Sequence, residues 1–303
     1  MQLRKVATRE LYVRERGLGS WLPVPVGREV LVLTVAFNSA DLIRIQAGSL
    51  QRFLAGSYSL GVVDNSPDEY ERERIRAIAG EFGIHYFSAP RNPYSWIDPS
   101  ISHSLALDWA WRNIVRKAKP RKVLLLDHDV FLLSPASVDS LLGPAAVAGY
   151  KRMSLGSERW ILWPGLLAFD CAQVRNFRIS FMPKKDTDSG GTLHWTVYSK
   201  LHQKQIRFLH RQEIVFSPGA RRVGDGSSGE VHLFDASWLH LVDGSGWSDG
   251  VGKLAKLPGE GPGLSLEGLI AKVEEIVKTQ YETEAEKAKT PPRKKSQTES
   301  KAP

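Results

Sequence analysis

Strand and helix signals alternate from residue 28 to residue 127, and this predicts an α/β domain whose sheet is mostly parallel and flanked by helices. Three observations carry that expectation. "REVLVLTVAF" (28–37) is a continuous β-branched run, the pattern of a buried strand. A stretch with helical periodicity follows it. The strand–helix pair then recurs until a fourth strand, "RKVLLLD" (121–127).

The elements follow in order. In "NSADLIRIQAGSLQRFL", Leu42, Ile45, Leu50 and Phe53 share one helical face, and Asn38 or Ser39 is available as the cap. "YSLGVVDNS" (58–66) is the second strand. "SPDE" (66–69) then reads as a capping box, with Ser66 at the N-cap, Pro67 at N1 and Glu69 at N3. That helix buries Ile75, Ile78, Ala79 and Phe82, and Gly83 stops it. "IHYFSA" (84–89) is the third strand. The proline-rich "PRNPYSWIDPS" (90–100) is a loop, and Ser100 can cap a helix to about Ala118.

Beyond Asp129 the rhythm loosens. A short helix (134–142), a strand "AAVAGY", a broken strand pair (159–170), a helix near 190–203 and a strand (206–210) are expected. Residues 217–263 are rich in Gly and Ser and read as irregular. "SLEGLIAKVEEIVKTQ" has an apolar stripe. The expected organisation is a lead-in (1–27), a single catalytic domain (28–262), an amphipathic helix (263–280) and a disordered polar tail (281–303).

Composition narrows the class. The 303 residues, 42% hydrophobic and 24% charged, suit one large core. The single cysteine, Cys171, excludes an internal disulfide and a thiolate metal site. No apolar run is long enough to span a bilayer, and the charged start has no leader-like apolar segment. A cytoplasmic protein is expected, with peripheral membrane association as an option for the basic surface and the final helix. The charge of +8 suits solubility, anionic membrane or phosphate-bearing ligands. No nucleic acid is expected, because no zinc-finger, aromatic RNA-binding or helix-turn-helix signature is present.

The feature that asks for a function is "KVLLLDHDVFLL" (122–133). In an extended chain Asp127 and Asp129 project to one side and His128 to the other. They stand at the C-terminal end of a buried strand, where open α/β sheets bind ligands. Two convergent carboxylates there suit a hard divalent cation, Mg²⁺ or Mn²⁺; a helix cap with a salt bridge is the alternative.

The order "VLTVAFNS", "LGVVDNSPDE", "VLLLDHDVFLL" resembles the GT-A (Rossmann-like) nucleotide-sugar glycosyltransferases, especially those similar to glycosyltransferase family 2. The resemblance spans about residues 29–250. It implies a metal-dependent, inverting enzyme of hexosyltransferase type. The donor would be a UDP-, GDP- or dTDP-sugar, and the acceptor a glycan, lipid-linked or protein hydroxyl. By position it places Ala36, Phe37 and Asn38 at the nucleobase, Asp64 at the base or ribose, and Arg91 and Asn92 near the diphosphate. His128 joins the donor-contacting set and Lys253 lies on a closing loop. Asp127 and Asp129 would be metal ligands, with His240 of "WLHLVDGSGW" as a third. In "KKDTDSGGTLHW" the resemblance implies an acidic base, Asp188, with Asp186 in reserve; a helix cap at Asp188 or Ser189 is the other reading. Trp160, Trp163 and 164–169 fall where acceptor contacts are expected, while His103, His194 and His210 are read as structural. Two rivals remain. A sugar-phosphate nucleotidyltransferase normally has a glycine-rich loop after its first strand, which "AFNSADLIR" lacks. The other is a non-catalytic nucleotide- or sugar-binding protein on the same fold.

Overall fold

The computed structural model describes residues 2–15, 17, 29–153, 159–184, 186–215, 230–241 and 271. The chain divides into two units, residues 1–263 and 264–303; the following concerns the first. Apart from residue 271, the helix and tail expected beyond 263, like Lys253, lie outside the described residues.

In chain order the elements are α1 (Gln2–Tyr12), β1 (Val30–Ala36), α2 (Ala40–Phe53), β2 (Leu54–Ala55), β3 (Tyr58–Asp64), α3 (Glu69–Glu81), β4 (His85–Ser88) and α4 (Pro99–Ala110). Helix α4 runs on through a π-helical turn, Trp111–Val115, into α5 (Arg116–Ala118). Then come β5 (Lys122–Asp127), β6 (Val130–Leu132), β7 (Ala136–Ser137), α6 (Val138–Leu142), β8 (Val147–Met153) and β9 (Trp160–Asp170). The remainder is α7 (Cys171–Val174), α8 (Gly191–Thr196), β10 (Ile206–Phe208), β11 (Arg211–Val215), β12 (Glu230–Phe234) and β13 (Trp238–Leu241).

The main sheet has the order β10-β8-β9-β5-β1-β3-β4. β1 pairs in parallel with β3 and β5, β3 with β4 and β10 with β8, while β9 runs antiparallel to β5 and β8. The fold is thus α/β with a mainly parallel central sheet between helices. β1 and β5 have apolar residues on both faces because both faces are covered. One core, with Leu31, Leu33, Leu125 and Phe169, lies under α4; the other, with Val32, Leu124, Ile43 and Ile75, lies under α2 and α3.

Several expectations are corrected. Asp68, not Ser66, caps α3, accepting from Tyr70 N and Glu71 N, and Asp98, not Ser100, caps α4, accepting from Ile101 N. Ser39 is the N-cap residue of α2 but makes no side-chain cap bond, and Asn38 lies outside it at φ +46°. In α3 and α4 a nearer carboxylate takes the free N–H groups, and in α2 Ala40 N donates to Glu71 of α3. The expected strand pair at 159–170 is one strand, Trp160–Asp170. Trp163, Pro164 and Gly165 fall between its paired stretches at a register shift, where proline costs no ladder bond. The helix near 190–203 shortens to α8 followed by two 3₁₀ turns. The described part of the "irregular" segment contains β12 and β13, which with β11 and β6 form a second, antiparallel sheet. The lead-in is also not separate from the domain. Tyr12 and Val13 are buried in the α4-side core, and Arg9 ion-pairs with Asp108 of α4.

Candidate functional site

The Asp127–Asp129 stretch is the corner where the chain leaves one sheet for the other. β5 ends at Asp127, His128 and Asp129 turn, and β6 begins the antiparallel sheet. The two carboxylates therefore do not share an extended strand as expected. Gln46, buried on α2, pins the corner: its amide donates to Asp127 O and Val130 O at 2.8 Å each and accepts from Thr34 Oγ1 at 2.7 Å. Ser49, one turn later, receives Leu132 N. Two polar residues on an otherwise apolar helix face were the sequence signal for this.

The corner opens on a cavity of about 440 Å³, ordinary for a small-molecule site. Its wall includes Asp127, His128, Asp129, His103, Asp188 and Ser189. Phe37 and Asn65 contribute from the ends of β1 and β3, and Tyr150, Arg152, Trp163, Arg211, His232, Phe234 and His240 from the strands beyond the corner.

Asp129 is 5% exposed, and its Oδ1 lies 3.8 Å from His240 Nε2. Strand pairing accounts for that approach: His240 is opposite Val130 of β6, and Leu241 N donates to Asp129 O. His240 also faces His232 across β12, with the two Nδ1 atoms 3.4 Å apart. Burial first, and His232 second, push the His240 pKa down to about 3, so the ring is neutral. Asp127 Oδ1 lies 2.9 Å from His103 Nε2. Burial alone would raise the Asp127 pKa, but His103, and then His240 and His128, hold it below the usual carboxylate range. The His103 pKa is raised in turn, Asp127 outweighing burial. The expected outward turn of His128 is corrected. Its Nδ1 meets Val35 O at 3.1 Å, its ring lines the cavity, and burial lowers its pKa.

Asp188 also stands on the wall. Arg152 Nη1 donates to its Oδ2 at 2.8 Å, and Ser189 N donates to its Oδ1 at 2.8 Å. It is not a helix cap; Gly190, at φ +87°, holds that position. Asp186 does not line the cavity: its side chain is 81% exposed, 4.0 Å from Arg159.

The other expected donor contacts divide. Phe37 lines the cavity and packs edge-to-face with Trp96, which is 63% exposed. Ala36 is fully buried behind it, and Asn38 accepts from Asp68 N, off the wall. Asp64 is buried off the wall, accepting from Ser66 N and Tyr86 Oη. Its neighbour Asn65 reaches the cavity instead. Asn92 supports Asn65, donating to Asn65 Oδ1 and Ser102 O, whereas Arg91 is exposed away from the wall. Of the expected acceptor contacts, Trp163 lines the cavity, but Trp160 stacks on Tyr198 and 166–169 are buried in the sheet.

Among the described residues, no three His, Cys, Asp or Glu side chains converge in a metal-holding arrangement. The donor chemistry is nevertheless apt, with two carboxyl groups and a neutral imidazole beside one cavity. Sequence reasoning missed His103, Arg152, Ser189, Arg211, His232 and Gly165. A Cβ on Gly165 would overlap the Trp163 ring and Asp127 Oδ2.

No family model matches the chain, and no curated protein matches it. Among solved structures, the chain is similar to a mannosyltransferase from Pyrobaculum calidifontis in complex with GDP-Man and Mn²⁺. That match is 15% identical with a TM-score of 0.37, over 57% of this chain and 55% of that one. A second is the galactosyltransferase LgtC with donor and acceptor sugar analogues, 19% identical with a TM-score of 0.34, over 48% and 59% of the two chains. A third is mouse xyloside xylosyltransferase 1, 11% identical with a TM-score of 0.36, over 61% and 85%. The match covers little more than half the length of the first two. Among the described residues no helix is long and apolar enough to cross a membrane.

Proposed function

We propose that the chain is a glycosyltransferase of the GT-A kind. It would use a divalent cation and a nucleoside-diphosphate sugar, and transfer to an acceptor hydroxyl with inversion. The observation that carries this reading is the charge on the cavity wall. Asp127, Asp129 and Asp188 face one cavity with Arg152 and Arg211. Both guanidinium groups are engaged, Arg152 by Asp188 and Arg211 by Glu213 and the Tyr150 ring. A diphosphate entering beside three carboxylates needs a further positive charge.

Asp127, Asp129 and the neutral His240 would hold that charge as Mn²⁺ or Mg²⁺. When bound, the ion would offset the charge that develops on the departing nucleoside diphosphate. The rest falls to the chain itself. Phe37 supplies an apolar surface for the base, and Asn65 polar atoms beside it. Asp188 accepts the proton of the acceptor hydroxyl as its oxygen forms the bond to the anomeric carbon, and Arg152 orients the carboxylate for that step. Attack opposite the leaving group inverts the anomeric centre. Trp163 offers a face for a sugar ring.

The test is to incubate the protein with Mn²⁺ and a panel of UDP-, GDP- and dTDP-sugars, with and without acceptor glycosides. Nucleoside diphosphate release should need the metal and one donor, and the product should be inverted by NMR. Asp127→Ala and Asp129→Ala should each lower release on the order of 10²–10³-fold. If wild type neither releases nucleoside diphosphate nor takes up any of these nucleotides with Mn²⁺ by calorimetry, the reading fails. Pyrophosphate formation from a nucleoside triphosphate and a sugar phosphate would replace it with nucleotidyl transfer.

A further inference from the structure

We infer that His103 is a positioning residue that aligns the Asp127 carboxylate and ties it to the turn carrying Asp188. This rests on the proposed function, because it assigns the two carboxylates their separate tasks. His103 stands one turn into α4, whose first residues Pro99, Ser100, Ser102 and His103 line the cavity while Ile101 and Leu105 enter the core. The imidazole therefore comes from a rigid element anchored on its far side. Its two nitrogens reach in different directions. Nε2 is 2.9 Å from Asp127 Oδ1, and Nδ1 is 3.3 Å from Ser189 Oγ.

Each partner leads to one half of the site. Asp127 Oδ2, the oxygen His103 leaves alone, lies against Gly165, where a missing side chain gives it room. Ser189 is 5% exposed and donates its backbone N–H to Asp188 Oδ1. A single ring thus links the proposed cation ligand to the proposed base. An imidazole that fixes one oxygen of a ligating carboxylate leaves the other correctly aimed, and removing such a partner typically lowers metal affinity or activity about 10–100-fold. The link through Ser189 sets the separation between the donor side and the residue that deprotonates the acceptor, and misplacement by about 1 Å can cost on the order of 100-fold in rate.

The two arms can be cut separately. In His103→Gln the amide sits near the position of Nε2 and keeps a donor for Asp127. In His103→Asn it sits near Nδ1 and keeps only the Ser189 side. Ser189→Ala removes the second arm alone. Mn²⁺ affinity should be measured by electron paramagnetic resonance with UDP, GDP and dTDP as co-ligands, beside kcat, acceptor KM and thermal midpoint. The expected pattern is about 10–100-fold weaker Mn²⁺ binding in His103→Ala and His103→Asn, with recovery to within a few fold in His103→Gln. Ser189→Ala should bind Mn²⁺ like wild type and lose about tenfold in kcat with little change in acceptor KM. Wild-type behaviour of His103→Ala overturns the inference. So does an equal loss in all His103 variants that follows the thermal midpoint, which would make the residue merely structural. Wild type that shows no Mn²⁺-dependent nucleotide binding overturns the proposed function first, and this inference with it.

Discussion

Helix α4 has a polar cluster at each end, and the two are built to opposite ends. At the far end the Asp108 carboxylate is completely enclosed and fully partnered: Arg9 and Ser180 meet Oδ2, and Phe181 N donates to Oδ1 at 2.7 Å. At the near end Asp127 and Asp129 lie close to the imidazoles of His103 and His240 and stand on the wall of an open cavity. A buried carboxyl group whose oxygens are all partnered within the protein is a structural joint, here fastening α1 and the 180–181 segment to α4. A charge held on one side and open on the other is arranged for something that arrives later.

The largest expected effects separate the two clusters. Asp108→Ala leaves Arg9 without its buried partner and should cost about 3–5 kcal/mol in stability by chemical denaturation. Asp127→Ala should cost clearly less, because the His103 imidazole can lose its proton and stay neutral once the carboxylate is gone, while metal-dependent nucleoside diphosphate release falls on the order of 10²–10³-fold. If Asp127→Ala proves as destabilising as Asp108→Ala, the contrast between joint and site is lost. Next comes Gly165→Ala. The added methyl must displace Trp163 or the Asp127 carboxylate, so turnover should fall about 100-fold. The stability loss should be about 1–3 kcal/mol, as for overpacking elsewhere.

Smaller effects belong to positions remote from both clusters. Cys171 follows the Asp170 cap, and burial, then the Asp170 charge, raise its thiol pKa to about 12. The raised value means that its contribution to stability is present below the unfolded thiol pKa and is lost as pH rises toward 12. Disulfide-reagent labelling at pH 8 should therefore be slow in native protein and fast in denaturant, and rapid native labelling would show an accessible thiolate. The smallest effect is expected at Gly80, exposed near the end of α3 with open space where a Cβ would go. Gly80→Ala should stabilise by about 0.4–1 kcal/mol, read as a small rise in thermal midpoint.

The parallel core was legible because its signals are local. "VLVLTVA", "YSLGVVD" and "KVLLLD" each carry a buried strand's pattern within seven residues, and the helices between them show their own periodicity. The helix caps were misplaced because Ser66, Asp68, Asp98 and Ser100 are all competent cap residues, and the backbone turn chooses among them. β12 and β13 were missed because they are short and set among glycines and serines. Asp127, Asp129, Asp188 and His240 were singled out from the sequence, and they do line one cavity. Asp186 and Asp188 could not be separated by pattern alone. Being two apart predicts a shared side only in extended chain, and here Asp186 sits at φ +62°.

What the sequence determined by itself is the α/β framework and the edge of that framework at which charge collects, since both follow from patterns a few residues long. Only the tertiary structure decided which side chains meet there. His103 lies 24 residues before Asp127 in the chain and Ser189 62 after it, and they touch only because α4 and the 188–190 turn pack against the same corner. Polar contacts across such separations depend on ångström-scale register between packed elements, which no local propensity encodes.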